Sequence, residues 1–440
     1  MGAYIPCSAK DRADMLRTLG IDDASSLFLG IPDSVMLHEP LNLPKGLSEM
    51  ETRKLMTALS SQNKVYRIIL RGAGAYDHYI PSIVRYIPAK EEFLTAYTPY
   101  QAEISQGVLQ SIYEFQSMIC ELTGLDAANA SLYDGASAAA EACRMFGDRQ
   151  RTVTLISASA NPETAEVIKT YAWGAETTVH FIPERDGVTD IDALISLLDS
   201  TVASVYIQSP NYYGNLEDMQ TIVELAHTAG AKVIMGTNPI AMAIYKAPGT
   251  LGVDAAVGEG QPLGIPLSFG GPYLGYMATR STYLRKMPGR IVGETTDHKG
   301  QRAFVLTLQA REQHIRREKA GSNICSNQAL CALTASCYMA FMGPAGMREV
   351  AIQSRDKAHY LADELQKLEG FNRVDSKPFF HEFRTFCAIN QEELHRILDR
   401  HDILGGLPLC DGTILWCVTE KTSKADLDMT VQVIREAMRQ

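Results

Sequence analysis

Val253-Asp-Ala-Ala-Val-Gly-Glu-Gly-Gln-Pro-Leu-Gly-Ile-Pro-Leu-Ser-Phe-Gly-Gly-Pro-Tyr273 is the stretch that decides the fold. An apolar, strand-like run ends in Gly258-Glu259-Gly260-Gln261. A turn rich in glycine and proline follows, with Gly264, Pro266, Gly270, Gly271 and Pro272. Glycine permits positive φ and close backbone approach, and proline sets φ near −65°, so this punctuation predicts a strand delivering the chain into a shaped loop.

Working back towards residue 131, strands and helices alternate. Short β-branched or apolar runs at 152–156, 178–182, 204–208 and 232–235 read as strands, and 164–172, 191–200 and 219–229 as the helices between them. Asp134-Gly-Ala-Ser137 reads as a turn opening a helix of small residues. That order predicts an α/β fold, a mostly parallel sheet with helices on both faces. Near Met347 the texture changes to a long amphipathic helix reaching residue 368, then short strands, then a terminal helix over 425–438. A smaller C-terminal α+β domain is expected there. The predicted division is 1–85 as a helical arm and loop, 86–345 as the large domain and 346–440 as the small one.

Upstream, helices are expected over 9–19 and 47–62, separated by proline-rich chain, as an arm that lies across a partner surface. Arg71-Gly-Ala-Gly-Ala-Tyr-Asp-His-Tyr-Ile-Pro81 is dense in glycine and aromatics; it reads as a structural turn or as a loop lining a site. Thr98-Pro99-Tyr100-Gln101 has the form of a capping box. It predicts a helix buried along Ile104, Val108, Ile112, Phe115, Ile119 and Leu122 and ended by Gly124.

The 440 residues carry 46% hydrophobic and 21% charged residues and a formal charge of −10. That composition is globular, and the acidic balance argues against a nucleic-acid or basic membrane-surface binder. Nine scattered cysteines without a CxxC pair predict reduced thiols and neither a zinc site nor a disulfide scaffold. With neither a secretory h-region nor a run near ~20 apolar residues, a cytoplasmic chain without a membrane span is expected. HExxH, GxSxG and P-loop motifs are absent, and Gly258-x-Gly260 lacks the third glycine of a dinucleotide fingerprint.

Four long stretches are specific enough to carry a resemblance: Gly72 to Pro81, Tyr97-Thr-Pro-Tyr-Gln-Ala-Glu-Ile-Ser-Gln-Gly107, Gly258-x-x-Gln-x-x-Gly-x-Pro…Phe-Gly-Gly-Pro272, and Arg311-Glu-Gln-His-Ile-Arg-Arg-Glu-Lys-Ala-Gly-Ser-Asn-Ile-Cys-Ser-Asn-Gln-Ala-Leu330. With Tyr4-Ile-Pro6, they resemble the P-protein family of the glycine cleavage system, in the subunit 1 (alpha) form of the divided glycine dehydrogenase (decarboxylating). The resemblance implies a fold-type-I, aminotransferase-like pyridoxal-phosphate (PLP) enzyme fold.

In the PLP-binding half of that family a Schiff-base lysine precedes the proline and glycines. Its place falls here at Gln261, whose amide nitrogen is not nucleophilic. The strand Ala231-Lys-Val-Ile-Met-Gly-Thr-Asn-Pro239 also lacks the aspartate that would hold the pyridinium nitrogen. The resemblance therefore implies that PLP is bound by the partner beta subunit (subunit 2), that the pair assembles as α2β2, and that glycine is decarboxylated with transfer of its aminomethyl group to the lipoyl arm of H-protein.

No catalytic, cofactor or metal residue is expected in this chain. Tyr76, His78, Tyr97, Thr98, Tyr100, Gln101 and Glu103 are candidates for lining the partner's active site, with subunit packing as the alternative. Asp134, Gly135 and Ser137 are read as a vestige of the phosphate cup. A covert Schiff-base lysine at Lys246, Lys286, Lys299 or Lys319 is the remaining route to a self-sufficient PLP lyase or aminotransferase. A non-catalytic scaffold is the other rival. The basic run around Arg311, Arg316 and Arg317 faces either solvent or an acidic carrier.

Overall fold

The computed structural model describes residues 7–37, 39–94 and 98–438, and the chain divides into two compact units, Met1–Val65 and Tyr66–Gln440. Among its described residues the first unit holds two α-helices, Ala9–Leu19 and Glu49–Ser60. Each opens with a reciprocal capping box, Ser8 with Asp11 and Ser48 with Glu51, and neither helix buries a residue. Such caps contribute about 1 kcal/mol each.

In the second unit the predicted alternation becomes a seven-stranded sheet. Its strands are β1 (Ala127–Ala128), β2 (Val153–Ser157), β3 (Thr178–Ile182), β4 (Val202–Gln208), β5 (Lys232–Thr237), β6 (Ala255–Glu259) and β7 (Gly275–Thr279), in the spatial order β1-β7-β6-β5-β4-β2-β3. The pairings from β6 through β5, β4 and β2 to β3 are parallel; β7 runs antiparallel to both β6 and β1. The glycine- and proline-rich stretch is thus the connection that turns the chain back, pairing Gly275 with Glu259.

Side chains alternate between the two faces, as a pleated strand requires. Leu155, Val205, Ile207, Val233, Met235, Ala256 and Tyr276 pack with helices Gln106–Thr123 and Met219–Thr228 on one side. Ile156, Tyr206, Ile234, Ala255, Val257 and Met277 pack with helices Gly135–Phe146 and Pro162–Gly174 on the other. Both faces are covered, the usual condition of a largely parallel sheet.

A long helix, Ala329–Gln366, links this sheet to the C-terminal part. Gly343 breaks it with φ 59 and ψ 179, a conformation open essentially to glycine, and Pro344 follows. Before the break Ala332, Ala335, Tyr338 and Met339 join the first core; beyond it Ala358, Leu361, Ala362 and Leu365 join another. That other core also holds the three-stranded antiparallel sheet of Glu382–Thr385, Ile414–Cys417 and Leu407–Pro408.

Two sequence expectations are corrected here. The long helix starts at Ala329, well before 347, and by length and composition it passes for a membrane span. Its break at Gly343 and its packing into both cores mark it as a core helix. The capping box at Thr98 does not open a helix: residues 99–104 form turns, the helix begins at Gln106, and its N-cap Ser105 makes no side-chain cap bond. Tyr100 is held elsewhere, its hydroxyl on Asn327 and its ring under the Arg290 guanidinium at 4.4 Å. Tertiary anchoring of an aromatic outweighs a cap of about 1 kcal/mol. Ile104, predicted for the buried stripe, is 77% exposed, and Leu109 and Gln116 are buried instead.

Candidate functional site

The carboxyl ends of β4, β5 and β6 open onto a cavity of about 350 Å³, closed by the loop 72–76, the start of helix Gly135–Phe146, residues 161–164 and the pair His381-Glu382. This is the crevice at which open α/β sheets carry ligands.

Gln261 stands directly behind the cavity wall, 2% exposed. Its Oε1 accepts the Tyr76 N–H at 2.9 Å, while its Nε2 donates to the Tyr76 carbonyl at 2.9 Å and to the Ile265 carbonyl at 2.8 Å. A single amide therefore satisfies both backbone groups of a residue 185 positions away and clamps the glycine-rich loop onto the sheet.

Glu259, two residues earlier, turns the opposite way. Its Oε2 accepts the Gly135 N–H at 2.9 Å, and its Oε1 accepts the amides of Gln261 and Leu274, each at 3.0 Å. The helix start is capped on its other side by Asp134, which accepts the Ser137 N–H at 2.7 Å. Two carboxylates of the chain itself thus occupy a helix N-terminus that would otherwise attract an anion. Burial pushes the Glu259 carboxyl up to about 7 against three amide donors.

On the opposite wall Glu382 is held by Ala73 N–H at 2.6 Å and Tyr76 O–H at 2.7 Å. Burial raises its carboxyl from 4.5 to about 7 as well. Beside it His381 is 2% exposed, and neither ring nitrogen has a hydrogen-bond partner among the described residues. Burial, with His78 nearby, drives its imidazole well below the usual range. Tyr76 meets the His381 ring edge-on at 4.6 Å. At the end of β5 the Thr237 hydroxyl is spent on Val257 carbonyl and Tyr276 hydroxyl, at 3.1 and 2.7 Å.

The raised carboxyl of Glu382 has a pH consequence. Between about 4.5 and about 7 the folded chain keeps a proton that the unfolded chain has lost, so stability falls as pH rises through that window and levels above it. Glu382→Gln can still accept from Ala73 N–H and donate to the Tyr76 oxygen. Relative to wild type, this variant is expected to gain on the order of 3 kcal/mol between pH 4.5 and pH 8. Urea melts across that range measure it, and a constant offset would refute it.

The structure divides the residues singled out in the sequence. Tyr76, Asp134 and Gly135 line the cavity, with Gln261 behind it and Ser137 buried below. His78 is buried outside the lining, its Nδ1 2.6 Å from Glu420. Thr98 and Tyr100 line a separate hollow of about 580 Å³ with Arg290, Asn327 and Leu333. Gln101 and Glu103 are exposed, and Tyr97 lies outside the described residues. Lys286 and Lys319 border a third, basic cavity with Arg144, Arg285, Arg311 and Arg316, and neither lysine nor arginine is among the residues lining the first.

Reading the sequence missed His381, Glu382 and the role of Glu259. Two polar residues inside the aromatic run Phe379-Phe380-His381-Glu382-Phe383, and a carboxylate between glycines at a strand end, were the available signals.

Comparison with known proteins agrees with this architecture. The family "Glycine cleavage system P-protein" matches residues 2–434. The probable glycine dehydrogenase (decarboxylating) subunit 1 of Desulfitobacterium hafniense is 47% identical over 438 residues, covering 97% of this chain and 98% of that protein. The corresponding protein of Carboxydothermus hydrogenoformans is 47% identical over 441 residues, covering 98% and 99%. A crystal structure of glycine decarboxylase (P-protein) of the glycine cleavage system, in inhibitor-bound form, superposes with a TM-score of 0.93 at 38% identity, covering 99% of this chain and 100% of that one. A Burkholderia pseudomallei sphingosine-1-phosphate lyase shares the fold at 14% identity and a TM-score of 0.67, over 92% and 93% of the two chains. The expectation of a fold-type-I PLP-enzyme architecture is therefore met, and the chain belongs to the glycine cleavage system P-protein family, among the subunits 1 of glycine dehydrogenase (decarboxylating), an oxidoreductase.

Proposed function

We propose that this chain is the cofactor-free half of a divided glycine decarboxylase. Its PLP-bearing partner, subunit 2, decarboxylates glycine, releases carbon dioxide and passes the aminomethyl group to the lipoyl arm of H-protein. The two subunits assemble as α2β2 in the cytoplasm. The observation that carries this reading is the engagement of Gln261 and Glu259 with the chain's own backbone.

The residues present do not fit PLP. An aldimine needs an unprotonated amine, and Gln261 supplies an amide already committed to Tyr76 and Ile265. A phosphate would meet Glu259 and Asp134 at the amides it needs, with neither lysine nor arginine lining the cavity to offset the repulsion. Thr237 stands near the place of the missing aspartate with its hydroxyl occupied.

This chain's contribution is then to shape its partner's site. Thr98 and Tyr100 wall the second hollow, and Gln101 and Glu103 stand exposed on the same turn, which suits them to meet another chain. The helices of residues 1–65 bury none of their residues and suit an arm laid on a partner. The break at Gly343 is where we divide the large domain, 86–345, from the small one, 346–440.

Two experiments test the proposal. The chain alone, given PLP, is expected to stay colourless; co-expressed with subunit 2 and supplied with H-protein, the pair is expected to exchange glycine's carboxyl with bicarbonate. A borohydride-trapped aldimine on the lone chain would overturn it. Tyr100→Phe, which removes the hydroxyl from Asn327, is expected to lower turnover several-fold with assembly intact on a sizing column. Unchanged turnover would remove this turn from the active site.

A further inference from the structure

Six cations converge on one cleft of an otherwise acidic chain. Arg144 comes from the helix Gly135–Phe146, Arg285 and Lys286 from the segment after β7, and Arg311, Arg316 and Lys319 from the short helical turns ahead of the long helix. They border a cavity of about 300 Å³ together with two carboxylates, Glu141 and Glu312. Six cations against two carboxylates leave four positive charges in excess, in a chain whose formal charge is −10. The fold gathers them from separate parts of the chain, so a local run of charge does not account for the cluster.

These cations are not held by carboxylates. Among the described residues the side chains of Arg285, Lys286, Arg316 and Lys319 make neither a hydrogen bond nor an ion pair. Elsewhere on the surface Lys169, Arg185, Arg302, Lys367 and Arg396 each have a carboxylate within 2.8 Å. Arg144 donates through Nε to the Gly321 carbonyl at 2.9 Å, which fixes the guanidinium and leaves its two Nη groups unbonded among the described residues. That pair is the fork that fits a phosphate or a carboxylate. Arg311 spends Nη1 on the Met287 carbonyl, and its Nε and Nη2 are buried with no hydrogen-bond partner among the described residues. Those two nitrogens need touch no guest. They leave a desolvated positive charge at the cleft wall, which a nearby anion stabilises through space. Between Arg316 and Lys319 the backbone of Arg317 holds φ 53 and ψ −124, a strained conformation for a residue with a side chain and of the kind that gathers at ligand clamps.

We propose that this cleft binds a compact, multiply charged anion of the phosphate class, with the Arg144 fork and the ammonium groups of Lys286 and Lys319 as its counter-charges. The cleft shares no lining residue with the cavity at the ends of β4, β5 and β6, and its occupancy is independent of the cofactor-free reading.

Charge and size choose the class of guest. A single carboxylate balances one of the four excess charges, whereas pyrophosphate balances most of them in a small volume. The cavity lies at the small end of ligand pockets, so a compact anion fits it. Its cations are mixed in kind: an arginine fork orients phosphate oxygens, and lysines act as point charges around them. Pyrophosphate should therefore bind more tightly than inorganic phosphate, and acetate should bind most weakly.

Isothermal titration calorimetry of the full-length chain at constant ionic strength tests this. Pyrophosphate is expected to bind saturably at one site, and acetate to need at least about tenfold more ligand. Lys286→Gln combined with Lys319→Gln is expected to weaken pyrophosphate about tenfold or more. Both side chains are exposed, so the fold is expected to survive the change. Lys169→Gln combined with Lys367→Gln removes the same charge elsewhere on the surface and is expected to leave the affinity unchanged. Equal weakening by the two pairs of substitutions, or acetate binding as tightly as pyrophosphate, would show an adventitious ion only and overturn the site. The chain assembled with subunit 2 is expected to keep the binding. Its loss there would mean that the partner's surface covers these cations, and would overturn the proposal as well.

Discussion

Gln261→Ala is expected to lower the unfolding free energy by about 4 kcal/mol, a large share of the roughly 5–15 kcal/mol that holds a domain together. The side chain is 2% exposed and makes three hydrogen bonds, two of them to the backbone of Tyr76. Truncation takes the partner from the Tyr76 N–H and the Ile265 carbonyl, each costing about 1–3 kcal/mol, and leaves a void besides, while the Tyr76 carbonyl keeps the His78 N–H at 3.1 Å. The loop 72–76 is also released from the sheet, so Tyr76 O–H is expected to lose Glu382. Gln261→Lys tests the same position from the side of chemistry. It restores the residue type of a PLP enzyme, yet Glu259 still sits on Gly135 N–H. This variant is expected to be destabilised to a similar degree and to form no aldimine. Urea denaturation and the spectrum with added PLP measure the two effects; a stable, yellow Gln261→Lys protein would show that one residue separates this chain from a cofactor-binding one.

The reach of each interaction explains what the sequence disclosed. Thr178–Ile182 falls on its expected bounds, and Val202–Gln208 and Lys232–Thr237 extend theirs by two residues each, because strands, whether buried like the latter two or largely exposed at the sheet edge like the first, are local runs of β-branched and apolar residues. Asp134 capping the helix Gly135–Phe146 is equally local, a bond across three residues. At Thr98 the local signal misled, because Tyr100 is anchored by Asn327, which lies 227 residues on. The helix start at Ala329 was hidden for another reason: Ala329-Leu-Cys-Ala-Leu-Thr-Ala-Ser-Cys-Tyr is apolar nearly all round and shows no amphipathic period. The site itself was half legible. Gln261 and Asp134 declared themselves through a motif and a cap, but Glu259 meets Gly135 across 124 residues, and Glu382 meets Tyr76 across 306. Such pairings are set by how strands and loops converge, which no window of sequence contains.

Asp375→Ala is expected to cost about 3–5 kcal/mol, by stranding a buried charge. Arg384 lies on the strand Glu382–Thr385, and its guanidinium donates to Asp375 through Nε at 3.0 Å and Nη2 at 2.6 Å, both side chains at most 5% exposed. The Tyr213 ring lies 3.6 Å from its Cζ. Asp411, at 3.2 Å, is a second carboxylate within reach, but it is 48% exposed and so screened by water. Removing Asp375 therefore leaves the arginine largely desolvated and poorly paired. Replacing both partners together, as Asp375→Leu with Arg384→Met, is expected to recover much of the loss, because a buried ion pair often costs nearly as much to desolvate as it returns. The difference between single and double variants is the informative quantity. The same strand carries Glu382 to the cavity, and Gly214 passes so close beneath it that a Cβ would come 1.9 Å from the Glu382 carbonyl. Any shift of Arg384 is thus transmitted to the wall that holds Tyr76. In Asp375→Ala the stability loss should come with a weaker pH dependence of stability between about 4.5 and about 7, the window set by Glu382, and the double variant should restore both. Recovery of stability without recovery of that pH dependence would mean that the ion pair sets the position of this strand, beyond holding it in place.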